Sequence, residues 1–456
     1  MVPARCPGPV NRREFLRIGS FALGGATLFD IAAGRAAAGT LSSDTSVILC
    51  YLHGGPSQLE TYDLKPHAPV ETRSVFSPIS TSVPGMDICE HFPLQAKIAD
   101  KFSIVRSLNH DVGIHSDGGI IVCTGKRPAV LDPTSQSKSE HPDIGSIVSR
   151  VRGGHRSGMP QYVATPSSFY FTRPTYLGVA QQPFVVGNPA AENYAPPELK
   201  IAPQLQERGL DDRKALLAQF DRFRSDLDLN EALAGTNAFR QHAFNMLTTP
   251  QVADAFDINQ EPDKLRDRYG RNMWGQSFLL ARRLAEAGTG VVSLMMNSPK
   301  RGDEFTNWDD HPGNAGRPGH FATFMRTRLP YLDQALTTMI EDIWDRGLNR
   351  RILVVVVGEF GRTPRIRKGT PNDSVGRDHW PNAYSALISG GDLQMGRVIG
   401  ATDSKAAYPV ESPHSPQDLL ATVYRHLGVD YTQQFVDYGG RPISILPFGE
   451  PIAGLL

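Results

Sequence analysis

The sequence predicts an α/β fold: a doubly wound, mostly parallel sheet with helices on both faces, plus a loop and helical insertion. Three observations lead there. Several short runs are apolar at every residue, as strands buried on both faces must be. Stretches with helical spacing separate those runs. Histidines and carboxylates then gather in the loops at the run ends, where open α/β sheets collect functional groups.

The first strand is expected at 46–52 (SVILCYL), the second at 102–108 (FSIVRSL) and the third at 290–296 (GVVSLMM). The fourth, 352–357 (ILVVVV), is the most apolar and belongs in the middle of the sheet. A fifth is expected at 384–389. Helical patterns cover 143–151, 211–246, 273–287, 321–346 and 416–427. The stretch 157–203 is rich in Pro, Gly and aromatics and has no clear period. With the charged helical stretch after it, 157–246 reads either as a cap beside the active site or as a surface loop and packing helix.

The first 38 residues read as a signal peptide. Arg12-Arg13 precede Phe15-Leu16, an apolar run covers 18–28, and Ala36-Ala37-Ala38 offers a cleavage site. The arginine pair resembles a twin-arginine signature, so the export machinery is an expected partner and a periplasmic or otherwise exported location is expected. Residues 39–456 would form the mature domain. No later run reaches the ~18 apolar residues a membrane span needs.

With 47 basic and 47 acidic residues, the formal net charge is zero. That balance points away from nucleic acid and from a polybasic membrane contact. The four cysteines show no CxxC spacing, which argues against a zinc ribbon or redox motif. Cys50 and Cys123 sit in apolar runs and read as buried thiols.

The chemistry-bearing loops are 53–57 (HGGPS), 109–117 (NHDVGIHSD), 307–311 (NWDDH), 358–362 (GEFGR) and 376–380 (GRDHW). Imidazoles and carboxylates meeting from separate strand ends can make a metal site, or they can serve only to bond loop backbones. A serine-hydrolase reading of the HGG loop needs a G-x-S-x-G elbow, and Gly55-Pro56-Ser57-Gln58-Leu59 fails at its last position.

These motifs, together with Asp63-Leu64-Lys65-Pro66 and Gly361-Arg362-Thr363-Pro364, resemble the exported domain of unknown function 1501 family, a relative of sulfatases in the alkaline phosphatase and sulfatase superfamily. The resemblance spans almost the whole mature chain and implies an alkaline-phosphatase-like fold. It also implies a divalent metal (zinc, manganese or calcium) held by Asp309, His311, Glu359 and His379. A metal-dependent hydrolase acting on a phosphate or sulfate ester, of a glycan for example, is the activity implied. The alternative is a catalytically inactive binding or structural protein on the same fold. His53 stands where sulfatases place a metal-binding aspartate, and His115 where they place the cysteine that becomes formylglycine, so that mechanism is excluded. His53 and His115 are the catalytic candidates, as further ligands or acid–base groups, with His115 also a possible nucleophile. Ser57 and Ser116 are fallback nucleophiles. Arg362 and Arg377 are candidates for holding an anionic group, with pairing to a neighbouring carboxylate as the alternative for Arg362.

Overall fold

The computed structural model describes residues 44–153, 158–192, 194, 250–299, 307–313, 319–369 and 374–456. The leader and the helix expected over 211–246 lie outside these residues. Eight strands form the main sheet, numbered in chain order: β1 (Ser46–Tyr51), β2 (Ser103–Leu108), β3 (Tyr162–Thr165), β4 (Phe184–Val185), β5 (Val291–Met295), β6 (Ile352–Val357), β7 (Tyr384–Gly390) and β8 (Val398–Ile399). Their spatial order is β8-β2-β7-β6-β1-β5-β3-β4. β6 lies in the middle of the sheet, as its unbroken apolar run requires, in parallel register with β1 from Ser46↔Ile352 to Tyr51↔Val357. Only β7 runs antiparallel to its neighbours. Its first residue, Tyr384, therefore lies opposite Leu108, at the edge where the parallel strands end.

Alternate residues of β1 serve opposite faces, as a pleated strand demands. Ile48 and Cys50 join a core with Phe278, Leu280, Leu332 and Met339. Val47, Leu49 and Tyr51 join another with Ile120, Ile147, Val148 and Leu420. Among the described residues, five longer helices supply those faces: α1 (His115–Thr124), α2 (Ile144–Arg152), α3 (Met273–Glu286), α4 (Phe321–Asp345) and α5 (Pro416–Leu427). α3 and α4 cover the first face, and α1, α2 and α5 the second. Helix starts follow capping chemistry: Asp143 accepts from Ser146 N at 2.8 Å, and Ser415 forms a capping box with Asp418. The expected doubly wound, mostly parallel architecture is the one found.

Two departures have physical causes. β3 and β4 come from the stretch that shows no period, because strands of four and two residues are too short to display one. Cys89 joins Cys50 and Cys123 as a buried free thiol; with Ile88 it belongs to the same core as helix α4. No helix among the described residues is long and apolar enough to cross a membrane.

Candidate metal centre

The functional edge is built by close approach. At Gly54 φ is +113°, and a Cβ there would lie 2.3 Å from Asp309 N. Only glycine lets the loop after β1 pass this near the loop after β5. The passage lets Gly54 N donate to Glu359 Oε1 at 2.8 Å, while Trp308 N donates to the His53 carbonyl at 2.8 Å. Helix α1 gains its seat the same way. A Cβ on Gly119 would meet the Phe171 ring at 2.6 Å and Tyr51 Oη at 2.7 Å. That seat sets His115, the first residue of α1, against Glu359.

Asp309 is the hub. Its Oδ1 lies 2.6 Å from Arg362 Nη2 and 3.0 Å from His379 Nε2. Its Oδ2 lies 3.0 Å from His311 Nε2 and 3.2 Å from His115 Nε2. Burial alone would raise its pKa, yet Arg362 and the three histidines hold the carboxyl well below the usual carboxylate range. The neighbouring Asp310 is spent on the buried guanidinium of Arg328, so within the NWDDH motif only the first aspartate faces the histidines.

Each histidine's far nitrogen is also engaged. His115 Nδ1 lies 2.6 Å from Glu359 Oε1, His379 Nδ1 lies 2.8 Å from the Gly113 carbonyl, and His311 Nδ1 lies 3.2 Å from the Pro312 carbonyl. Those acceptors place a proton on every Nδ1. Three Nε2 atoms therefore converge on one carboxylate. In neutral rings they would point lone pairs at a negative group, an arrangement that calls for protons or a cation between them. His115 Nε2 is buried and makes no aligned hydrogen bond, so its approach to Asp309 is a charge contact. Among the described residues, His115, Asp309 and His379 bring ligand atoms within 4.8 Å of one another. The donor set of imidazoles and a carboxylate fits zinc or manganese.

Without a cation, protons take that place at His115 and His311. Burial lowers the His115 pKa, but the nearby Asp309 carboxylate and the bond to Glu359 outweigh it and raise it to about 9. His311 is raised chiefly by Asp309. Burial lowers His379 and His53. Glu359, fully buried, would be raised by that burial, but His115 and His53 bring it down to about 2.

A family model described as "Protein of unknown function (DUF1501)" matches residues 44–456. The chain belongs to that family. No curated protein shows significant sequence similarity to this DUF1501 member. Similar solved structures include the lipoteichoic acid synthase LtaP from Listeria monocytogenes, with 10% identity and a TM-score of 0.37, covering 91% of this chain and 77% of that one. Another is the PsFucS1 sulfatase from Pseudoalteromonas sp., with 12% identity and a TM-score of 0.35, covering 88% and 71%. A third is the phosphonate monoester hydrolase SpPMH from Silicibacter pomeroyi, with 12% identity and a TM-score of 0.30, covering 85% and 73%.

The expected site residues fall into three groups. Asp309, His311 and His379 meet directly. Glu359 stands one step back, bonded to His115 rather than to Asp309's other partners, and His115 takes the inner position. His53 lines the same edge, its Nδ1 buried without a hydrogen bond and 4.0 Å from Glu359 Oε1. Arg362 and Arg377 are different, and their expected anion-holding role does not fit where they stand. Both are fully buried. Arg362 bonds Asp309 and the carbonyls of Gly54, Gly55, Trp308 and Arg377. Arg377 bonds Glu60 and the carbonyls of Thr72, Arg73, Thr363 and Pro364. Pairing of Arg362 with a carboxylate, the other expectation, is what its position shows.

Both nitrogens of His115 face carboxylates, which suits a ligand better than a nucleophile. Ser57 gives its hydroxyl to Glu60, and Ser116 donates to Asp117 at 2.8 Å, so neither points at the cluster. Asp378 pairs with Arg367 at the surface and not with His379. Sequence reasoning missed Tyr170, whose ring stacks on His53 at 5.4 Å. No spacing rule marks it, because it lies in an irregular loop.

Proposed function

We propose that this chain is an exported, metal-dependent hydrolase acting on a phosphate or sulfate ester. The observation that carries the reading is the convergence of three imidazole Nε2 atoms on the buried Asp309 carboxylate. His115, Asp309 and His379 would hold a divalent ion, with His311 beside them. Such an ion supplies Lewis acidity toward an ester oxygen and lowers the pKa of water.

The chain's own groups divide the remaining work. Glu359 accepts the Nδ1 proton of His115 and turns Nε2 inward, and the Gly113 carbonyl does the same for His379. Arg362 keeps Asp309 ionised in a dry setting. His53 is the group left to move a proton. Burial holds it neutral, its Nδ1 has no hydrogen bond, and Tyr170 stacks along its ring. The paired arginines of the leader support export, and the resemblance to the sulfatase superfamily supports the ester class.

One observation favours a second reading, a binding protein on the same fold. The two arginines expected to hold an anion are spent inside the protein. Incubating the zinc- or manganese-loaded protein with a panel of aryl phosphate and sulfate esters separates the two readings. Turnover that disappears in His53→Ala and Asp309→Asn supports the hydrolase. A loaded protein that turns over none of the panel favours the binding protein.

A further inference from the structure

Residues 109–114, which join β2 to α1, touch the site at three points. They lead directly into His115. The Gly113 carbonyl takes the Nδ1 proton of His379. His110 Nε2 lies 2.6 Å from the backbone carbonyl oxygen of Glu359. Val112 N–H donates to His110 Nδ1 at 3.1 Å, so the ring proton sits on Nε2 and is donated to Glu359. Burial keeps the imidazole neutral, and its ring packs edge-on against Tyr384 at 5.5 Å. With both nitrogens spent, His110 is neither a ligand nor a proton carrier.

We propose that His110 is a positioning residue that fixes the Glu359 backbone, and through it the carboxylate that orients His115. One donor thereby ties the loop after β2 to the loop after β6, and the same loop carries the Gly113 contact to His379. The zinc readout below rests on the metal-centre reading. The proton readout does not.

Two variants split the histidine's two bonds. His110→Gln keeps a donor near the Nε2 position, and His110→Asn keeps an acceptor for Val112 N–H while losing the reach to Glu359. The first readout is the downfield proton resonance of the 2.6 Å His115–Glu359 bond in zinc-free protein, assigned by its loss in His115→Gln. The second is the zinc dissociation constant from chelator competition. H110Q keeps the resonance and the affinity. H110N loses or shifts the resonance and binds zinc about tenfold more weakly, the lower end of outer-shell effects. An H110N protein with the wild-type resonance overturns the proposal, as does wild-type protein lacking the resonance. If H110N does not fold, His110→Phe replaces it, since it keeps ring volume without the donor. A wild-type protein that binds no zinc yet shows this pattern of resonances would remove the metal reading and leave the His110 role standing.

Discussion

His379 Nε2 lies 3.0 Å from Asp309 Oδ1 while its Nδ1 is held by the Gly113 carbonyl. A neutral ring so fixed turns a lone pair toward a carboxylate; His311 Nε2 also approaches Asp309, and His115 Nε2 meets it as a charge contact. Changing the hub should therefore release metal without unfolding the protein. Asp309→Asn keeps shape and removes charge, so bound metal should fall sharply while the circular dichroism spectrum stays unchanged. Unaltered metal content would remove Asp309 from the centre.

Glu359 acts one bond away. Glu359→Gln can still accept at one oxygen but cannot stabilise a charged or metal-bound imidazole. Metal affinity should fall by about 10–100-fold, the range for outer-shell partners, with a smaller loss in metal content than in Asp309→Asn. Competition with a chromophoric chelator measures the difference.

The metal-stripped protein should have a stability that depends on His115. Its folded pKa is raised from 6.5 to about 9. Folding thus favours the protonated ring, and that contribution is fully present below pH 6.5. It is lost as pH rises through about 9. Urea unfolding of stripped protein should show a midpoint that falls between those values, and His115→Gln should flatten that part of the profile. A midpoint that rises across the window would reverse the sign of the argument.

Two arginine–carboxylate pairs separate buried from exposed charge. Arg377 and Glu60 are both fully buried at 2.8 Å, whereas Arg367 and Asp378 face solvent. Arg377→Ala strands a buried carboxylate and should cost about 3–5 kcal/mol. Arg367→Ala should cost about 1 kcal/mol or less. Thermal melts of the two variants test the contrast.

Much of this was legible beforehand. Uniform apolar runs marked β1, β5 and β6 because both faces of the sheet are covered, and helical spacing marked α3, α4 and α5 within a residue or two. Loops at strand ends marked Asp309, His311 and His379. Side-chain direction was not legible. Whether a guanidinium points into a site or into its own scaffold depends on which carbonyls surround it, and Arg362 and Arg377 turned inward. Likewise, spacing cannot rank His115 against Glu359, since the inner position follows from how Gly119 seats helix α1.

The most direct test is metal analysis of the purified protein by inductively coupled plasma mass spectrometry, alongside Asp309→Asn and His379→Ala. A divalent metal present in near-stoichiometric amount in the wild type, and much reduced in both folded variants, is the predicted result. Wild-type protein without metal, both as purified and after supplementation with zinc and manganese, would contradict the account.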